Sequence, residues 1–389
     1  MKFDHQLRTF TRILDEYPQD TPLTRFLPGF FKQNKQMGAN DRRVASRLIY
    51  NFFRMGRACP DLPPEQRLFL GEYLCTGPDN PFLQHFRPDL HQTQDRPLDE
   101  KITILREREG FVPEDVFPFS GHLSESVDRY AFLRSFFIQP DLFIRVHPGK
   151  DRQVKARLDE AGVAYRDAGV GGLAMDNGTR LNQVFPDDRP FEVQDLSSQR
   201  TAAFFRPGAH EYWWDACAAS GGKSLLLFHQ QPDIQLLVSD IRESILNNLE
   251  ERFRSAGLVR YQKKVLDLTR TVDPELHHYA FDGIILDAPC TGSGTWGRTP
   301  EMIGQFQERK ILQFQHLQKT IAAEVTKFLK PGKPLVYITC SAFREENEDV
   351  VSYLAGSCGL ELEAMKVLTG YEEKADTMFV ARLVRRAGL

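Results

Sequence analysis

EYWWDACAASGGK (residues 211–223) joins an apolar run to the start of a helical pattern through a turn of small residues. Further apolar runs follow it, separated by segments of helical periodicity: IQLLVSD, KVLDL, GIILDAP, PLVYITC and MFVARLV. In one such segment, Ile245, Leu249 and Phe253 fall on one helical face, and Gly257 supplies the C-cap. This alternation predicts an α/β fold with a doubly wound parallel sheet and right-handed crossovers.

The chain has 389 residues, too many for one average domain, and its patterning predicts three regions. Residues 1–125 are expected to be helical, with a stripe of apolar residues at helical spacing: Val44, Leu48, Phe52 and Met55. Residues 126–200 are expected to form a small α+β unit, in which DLFIRVHP, GLAMD and FEVQD are strands and DRQVKARLDEAG is a helix. A unit of this size is typical of RNA-binding modules. Residues 201–389 hold the doubly wound sheet.

Basic residues concentrate in one segment of a chain whose formal net charge is only −3. One acid, Asp41, stands there against eight basic residues: Arg25, Lys32, Lys35, Arg42, Arg43, Arg47, Arg54 and Arg57. Such a cluster can form a phosphate-binding face, and a solvated helix face is the plain alternative. On the first interpretation, Arg42, Arg43 and Arg47 are candidate RNA-binding residues.

The cysteine pattern indicates the compartment. Six cysteines are scattered without a CxxC pair or a metal-ligand spacing, which favours reduced thiols over a disulfide scaffold or a metal site. The N-terminal MKFDHQLRTF lacks the apolar core of a signal peptide, and no run is long enough to cross a bilayer. We therefore expect a soluble, cytoplasmic protein with no membrane attachment and no bound metal.

The turn after the first strand is the candidate cofactor site. Its members are Cys217, Ala218, Ala219, Ser220, Gly221, Gly222 and Lys223. Small residues and glycines let backbone N–H groups approach a ligand at a helix start. The turn carries neither GxGxxG nor a P-loop, so it suits adenosine better than a pyrophosphate.

Two acids after later strands extend this candidate site. Asp240 ends the next strand, where a carboxylate can accept hydrogen bonds from both hydroxyls of a ribose. Capping of the following helix is the alternative role for Asp240. Asp267, near the end of the KVLDL segment, is placed to meet an adenine amine, or else it lies in a surface loop.

Two cysteines end neighbouring strand candidates. Cys290 follows GIILDAP, and Cys340 ends PLVYITC. Because the carboxyl ends of parallel strands meet at one edge, we expect both thiols and Asp287 there, an arrangement that suggests covalent chemistry on an electrophilic ring. A helix start after Cys340 would stabilise the nucleophilic thiolate. For either thiol alone, a small buried hydrophobic role is the alternative.

Together these segments resemble the RNA cytosine-5 methyltransferases of the RsmB/Sun (Fmu) and NSUN type, the RsmB branch in particular. The likeness runs in order through VQDLSSQ, DACAASGGK, Asp240, DAPCTGSG, PGKPLVYITCS, REENEDVV and FVARL. FFKQNKQMGANDRRVASRLIYNFFRMGR also looks like the start of that branch's NusB-like helical domain. The chain departs from the family pattern at Ser220 (usually proline), at Lys333 (usually glycine) and in DTMF (residues 376–379, usually DGFF).

The resemblance implies a fold, a cofactor and a partner. The fold is a Rossmann-like class I methyltransferase domain, preceded by an RRM-like α+β subdomain and a NusB-like helical region. The implied cofactor is S-adenosylmethionine. The implied partner is RNA, in the form of ribosomal RNA or a pre-ribosomal particle, with no DNA expected and the protein acting as a monomer.

The resemblance also implies roles for single residues. Cys340 would add to carbon 6 of a cytosine. Asp287, which also borders the cofactor, would contact the exocyclic amine and ring nitrogen 3 of the base. Cys290 would assist loss of the carbon-5 proton and release of the product. Arg145, in LFIRVHP, is a candidate contact to the RNA backbone, with a structural salt bridge as the alternative.

Other classes of function were weighed against this one. A non-catalytic RNA-binding factor of ribosome assembly could retain the same fold, although loss of function would be expected to erase some of the reactive residues. An NAD-dependent oxidoreductase is disfavoured by the absence of GxGxxG. An amino-methyltransferase would carry (D/N)PP(Y/F/W) where this chain has DAPC.

Overall fold

The computed structural model describes residues 2–169 and 171–387. Contacts between residues divide the chain into two compact units. The first unit holds the residues up to Gly121 together with Asp128–Gln139 and Trp296–Glu308. The second holds His122–Val127, Pro140–Thr295 and the chain from Arg309 onward. The polypeptide therefore passes between the two units more than once.

The first unit is helical. Its helices begin with α1 (Lys2–Glu16), α2 (Leu23–Gln33), α3 (Ala39–Arg54), α4 (Pro64–Cys75), α5 (Pro81–Phe86), α6 (Pro88–His91), α7 (Leu98–Glu109) and α8 (Arg129–Ser135). Leu48, Phe52 and Met55 of the predicted stripe are buried. Val44 is only half-buried, and its neighbour Ala45 is buried instead. A four-residue step overshoots one helical turn by about 40°, so the far end of the stripe rotates away from the core.

The second unit contains a small antiparallel sheet. Its elements are β1 (Leu142–Val146), α9 (Asp151–Glu160), β2 (Arg166–Asp167), β3 (Gly172–Met175), α10 (Leu181–Val184), β4 (Phe191–Val193) and α11 (Leu196–Arg200). Among the described residues, four strands pair in the order β2-β3-β1-β4. Helix α9 packs Val154 and Leu158 onto Ile144 and Phe191 of the sheet. The three strands and the helix expected in this region are confirmed.

The second unit also contains a larger, mostly parallel sheet. Its elements are β5 (Tyr212–Asp215), α12 (Gly222–Gln230), β6 (Gln235–Asp240), α13 (Glu243–Ser255), β7 (Gln262–Val265), α14 (Asp273–Leu276), β8 (Gly283–Asp287), α15 (Glu301–Gln305), α16 (Arg309–Thr326), β9 (Pro334–Thr339), α17 (Glu348–Ser357), β10 (Leu360–Thr369) and β11 (Thr377–Arg385). Helix α15 belongs to the first unit. Within the described residues, seven strands pair in the order β10-β11-β9-β8-β5-β6-β7. Strand β11 runs antiparallel to both of its neighbours. The predicted Rossmann-like, doubly wound fold is confirmed.

Two details differ from the sequence-based expectations. In α13 the residue buried with Leu249 and Phe253 is Leu246, whereas Ile245 is half-buried. Leu246 lies three residues before Leu249 and seven before Phe253, which is the tighter spacing on a helix. Strand β10 was not among the expected strands, because it lies at the sheet edge and half of its side chains are exposed.

Candidate active site

The predicted reactive residues lie along one edge of the large sheet. Strand β5 hydrogen-bonds to β6 on one side and to β8 on the other, and β9 follows β8, all in parallel. The strand order therefore reverses around β5, and such a switch point opens a crevice at the carboxyl ends of the strands. Asp215, Asp240, Asp287 and Cys340 each stand at or directly after one of these ends.

The turn of small residues fits tightly against the sheet. Ala219 and Gly221 have φ angles of +46° and +81°, in the left-handed region. A Cβ on Gly221 would lie 2.3 Å from Cε1 of Phe253, so this position has no room for a side chain. The amide of Ala218 donates to the carbonyl of Ser239 at 2.8 Å, which fixes the turn to β6. The backbone is therefore exposed to a ligand at the start of α12.

Asp240 is held at the end of β6 by four donor groups. Its oxygens accept hydrogen bonds from the amide of Ala219 (3.1 Å), from the amide of Arg242 (2.9 Å) and from two nitrogens of the Arg242 guanidinium. Burial raises the pKa of Asp240, but the contacts from Arg242 and the amides outweigh it, so the pKa lies below its usual value. The Arg242 side chain is 57% exposed, so ribose hydroxyls could replace its two bonds. The helix begins after Arg242, so Asp240 precedes its N-cap position.

Asp267 lies beside Asp240. The amide of Leu266, one residue earlier, donates to the Asp240 carbonyl at 3.2 Å. The Asp267 carboxylate accepts from the amide and hydroxyl of Thr269 at 3.0 and 2.6 Å, and it pairs with Arg270. The side chain is partly exposed, which leaves it open to a ligand amine.

A further acid at this edge was not among the predicted site residues. Asp215 is fully buried and accepts a hydrogen bond from the Ser224 hydroxyl at 2.6 Å, while its Oδ1 has no partner. Burial raises the pKa of Asp215 to about 7. The sequence signal for Asp215 was its position at the end of the strand that leads into the DACAASGGK motif. An unpartnered buried oxygen suits a hydrogen-bond donor on a ligand.

Lys223 connects the cofactor turn to the predicted catalytic acid. Its ammonium donates to Asp287 Oδ2 at 2.9 Å and to the Ser198 hydroxyl at 2.8 Å. Gln194 donates to the same hydroxyl at 3.1 Å and to the Gly222 carbonyl at 3.4 Å. The VQDLSSQ segment thus supports the turn from outside, a role that the sequence alone did not assign to Gln194 or Ser198.

The two cysteines meet at the next strand ends. Their sulfur atoms lie 3.2 Å apart. The hydrogen bond to Cys340, together with burial and the charge of Glu346, raises the pKa of Cys290 well above its usual value. Either sulfur can be the donor of the hydrogen bond between them. The loop after Cys290 is fixed by Gly294, whose amide donates to the Cys340 carbonyl at 3.0 Å.

The predicted RNA-binding arginines differ in their surroundings. Arg43 is exposed on α3, Arg42 donates to the Met37 carbonyl at 2.9 Å, and Arg47 pairs with Glu72 at 3.1 Å. Together these three arginines leave a positive surface on α3 that is only partly neutralised. RNA binding by them stays a prediction.

Arg145 is buried in the small sheet. It donates to Gln194 Oε1 at 2.9 Å and contacts Nδ1 of His229, so neither partner is a carboxylate. Burial lowers the pKa of Arg145 to about 10, and burial together with Arg145 lowers the pKa of His229 to about 3. Arg145 also lines a cavity of about 710 Å³. Contact between Arg145 and RNA stays a prediction.

The described residues contain neither a cluster of metal ligands nor a helix that could span a membrane. In residues 2–169 and 171–387, no three His, Cys, Asp or Glu side chains come together as metal ligands. No helix in the same ranges combines the length and apolar character needed to cross a bilayer.

Residues 202–384 match the family described as 16S rRNA methyltransferase RsmB/F. Over this stretch, just under half of the chain, the protein is similar to the RsmB/F family. The resemblance inferred from the motifs is thereby confirmed, and so is S-adenosylmethionine as the cofactor of this class of domain.

Curated relatives of the RsmB/F domain carry a consistent description. Ribosomal RNA small subunit methyltransferase B of Klebsiella pneumoniae is 34% identical over 203 residues, which are 50% of this chain and 46% of that protein. The Escherichia coli protein of the same description is 30% identical over 267 residues, covering 64% of this chain and 60% of that protein. The chain thus spans about half the length of the curated relatives it matches.

Solved structures share the fold. PH0851 superposes with a TM-score of 0.69 at 20% identity, over 91% of this chain and 93% of that one. NSun6 from Pyrococcus horikoshii with SFG superposes with a TM-score of 0.59 at 16% identity, over 70% of this chain and 97% of that one. At these identities the likeness supports the fold alone.

Two positions at which the chain departs from the RsmB/F pattern, Ser220 and Lys333, make polar contacts in the structure. The Arg252 guanidinium donates to the carbonyl and hydroxyl of Ser220 at 3.0 and 2.8 Å, and it also pairs with Glu192. This arginine therefore fixes the turn where the family usually has proline. Lys333 pairs with Glu211 at 2.7 Å, at the opposite end of the strands from the reactive residues.

Proposed function

We propose that the protein methylates carbon 5 of a cytosine in ribosomal RNA, through a covalent bond between Cys340 and the base. The observation that carries this proposal is the contact of two thiols at 3.2 Å, at the strand ends that also hold Asp287. One buried thiol alone has many structural explanations. Two touching thiols at the open edge of a methyltransferase sheet fit a reaction that needs both a nucleophile and a second acid–base group.

The residues at the switch point fit S-adenosylmethionine. The Cys217–Lys223 turn would hold it through backbone groups, with Asp240 on the ribose and Asp267 on the adenine amine. The unpartnered Oδ1 of Asp215 suits an ammonium group. When bound, this cofactor supplies an electrophilic methyl group. The side chains of the protein carry out the other steps, which are addition to the base and removal of a proton from it.

Cys340 acts first in the proposed mechanism. Its thiolate forms a bond to carbon 6 of the cytosine, and the electrons of the ring double bond shift toward carbon 5 and nitrogen 3. Asp287 orients the base through its exocyclic amine and lies next to nitrogen 3, where negative charge develops. Lys223, bound to the same carboxylate at 2.9 Å, adds a positive charge near that end of the ring. Carbon 5 thereby becomes nucleophilic enough to accept a methyl group.

Cys290 acts second. After methylation, carbon 5 carries both the methyl group and a proton, and the bond to Cys340 must still break. Cys290 first releases its own proton to solvent, and its thiolate then takes the carbon-5 proton. The electron pair of the broken C–H bond re-forms the ring double bond and expels the Cys340 thiolate. A thiolate whose conjugate acid has a raised pKa is a stronger base, which suits Cys290 to this step.

The other regions complete the proposal. We infer that residues 1–125 form a NusB-like RNA-binding region, that residues 126–200 form an RRM-like subdomain, and that residues 201–389 form the methyltransferase domain. The protein is proposed to act as a monomer in the cytoplasm, on RNA rather than DNA. The basic side chains of α3 are the expected phosphate contacts.

Bisulfite sequencing of ribosomal RNA tests the proposal. A strain that lacks the gene should lose one 5-methylcytosine, and the intact gene should restore it, whereas Cys340→Ala should not. If no methylated cytosine is lost, and Cys340→Ala corrects ribosome-assembly defects as well as the wild type, the protein is a non-catalytic assembly factor instead.

A further inference from the structure

A buried carboxylate lies between the loops that carry the two cysteines. Glu346 is 0% exposed and comes shortly before α17. Its Oε2 accepts hydrogen bonds from the Thr291 amide and from Gln318 Nε2, both at 2.9 Å. Its Oε1 accepts from the Ser341 hydroxyl at 2.7 Å and from the Thr291 hydroxyl. One carboxylate thus binds the residue after Cys290 and the residue after Cys340.

Gln318 extends these contacts to the other side of Cys290. The same Nε2 that donates to Glu346 also donates to the Pro289 carbonyl at 3.0 Å. The residues directly before and after Cys290 are therefore both hydrogen-bonded to the Glu346–Gln318 pair. A loop fixed on both sides of its reactive residue has little freedom to move that residue's sulfur.

Asn347 makes the corresponding contacts around Cys340. Its Oδ1 accepts from the Thr339 hydroxyl at 2.6 Å, and its Nδ2 donates to the Ser341 carbonyl at 3.0 Å. The residues before and after Cys340 are thus both hydrogen-bonded to Asn347, which directly follows Glu346 in the chain. The spacing of the sulfurs depends on a single short segment of the chain.

We propose that Glu346 is the positioning residue that holds the Cys290 and Cys340 loops at the separation required for the two-sulfur reaction. This inference rests on the proposed function for its purpose, but its geometry can be measured without RNA. Glu346 touches neither the base nor the methyl donor in this role. It acts through Thr291 and Ser341, the residues next to the two sulfurs.

Two substitutions separate the hydrogen bonds of Glu346 from its charge. Glu346→Gln keeps an oxygen for the two N–H donors, and the Thr291 and Ser341 hydroxyls can turn to accept from its new NH₂ group. Glu346→Ala removes all four contacts. Asp349→Asn is the matched control, because Asp349 lies in α17 and pairs with Arg344 rather than with a cysteine loop.

The decisive measurement is the rate at which Cys290 and Cys340 form a disulfide with diamide in the full-length protein, read by mass spectrometry of unreduced peptides. Glu346→Ala should slow this reaction at least tenfold, Glu346→Gln should stay within about threefold of the wild type, and Asp349→Asn should match it. Single-turnover methylation should fall about 100-fold in Glu346→Ala. Cofactor affinity should be unchanged, since the turn that binds the cofactor follows a different strand.

The possible outcomes distinguish the positioning role of Glu346 from the proposed methylation of RNA. A Glu346→Ala protein that binds the cofactor normally and forms the disulfide at the wild-type rate overturns the positioning role. If Glu346→Ala does not fold, Ser341→Ala takes its place, and a wild-type disulfide rate in that variant overturns the role as well. If the intact protein methylates no RNA, the proposed function fails, and the disulfide rates still decide what Glu346 does.

Discussion

The sulfurs of Cys290 and Cys340 lie 3.2 Å apart, although 50 positions separate them in the chain. This contact exists because β8 and β9 are adjacent parallel strands, and each cysteine lies just beyond the carboxyl end of one of them. The proposed roles of the two thiols are asymmetric, with Cys340 as the nucleophile and Cys290 as the proton-transfer group. The contact with Cys340, burial and the charge of Glu346 raise the pKa of Cys290, which suits its role.

This asymmetry predicts opposite behaviour for two alanine variants. Cys290→Ala should accumulate a covalent protein–RNA adduct, because the bond from Cys340 to the base forms but is not released. Cys340→Ala should form no adduct. A denaturing gel with target RNA and cofactor measures both, and Cys358→Ala is the control that keeps the pair intact. Equal behaviour of the two active-site variants would contradict the assigned roles.

The glycine in the cofactor turn should tolerate no side chain. Gly221 and Gly257 have nearly the same φ angle, +81° and +80°, but only Gly221 has a neighbour in the way, the Phe253 ring. Gly257→Ala should cost about 1 kcal/mol of unfolding free energy from strain alone. Gly221→Ala should cost more and should weaken cofactor binding at least tenfold. Urea unfolding and calorimetric titration give these values, and equal losses in the two variants would argue against the tight turn.

The buried carboxyl of Asp215 predicts a pH dependence of stability. Its pKa is about 7 in the folded protein and near 3.8 in the unfolded chain, so the folded state binds the proton more tightly. The contribution of this group to stability should be fully present below pH 3.8 and should be lost progressively as pH rises to about 7. Between pH 5 and pH 8 this group should cost about 2 to 3 kcal/mol. Asp215→Asn, which does not titrate, should lack that loss.

Chemical unfolding across this pH range measures the effect. Ser224→Ala provides an internal check, because it removes a hydrogen bond that favours the charged carboxylate, and the loss of stability should then extend to higher pH. Parallel pH curves for the wild type and Asp215→Asn would reject the assignment.

The basic surface of α3 predicts a salt-dependent affinity for RNA. Replacing Arg42, Arg43 and Arg47 with alanine should weaken binding and reduce the slope of log affinity against log salt by up to about 2. Arg43 should contribute most, because it is exposed, whereas Arg47 already pairs with Glu72. Arg96→Ala, which breaks an exposed ion pair with Glu100, is the control. Unchanged binding of the triple variant across a salt series would exclude this surface.

The sequence predicted most of the central sheet because its strands are apolar runs that end in functional residues. Parallel order then places Asp240, Asp287 and Cys340 at one edge without any further information. Strand β10 could not be found in this way, since it pairs on one side only and half of its side chains are exposed. Its partner is β11, so the pairing shows only in the folded chain.

Long-range polar contacts also could not be predicted from the sequence. Nothing local indicates that Glu346 reaches Thr291, 55 positions away, or that Gln194 supports Gly222. The segment Trp296–Glu308 joins the helical unit from within the sheet region, and its sequence carries no sign of that either. Such contacts depend on which loops the sheet brings together, and not on periodicity or composition.

Strand β9 ends just before Cys340 and lies between β8 and β11. Residues 377–385 must therefore emerge from the ribosome before that strand gains its second neighbour. A nascent chain that stops at residue 340 already contains both reactive sulfurs, yet it leaves one side of β9 unpaired. Synthesis of β11 is therefore needed before the strand that leads to Cys340 is paired on both sides.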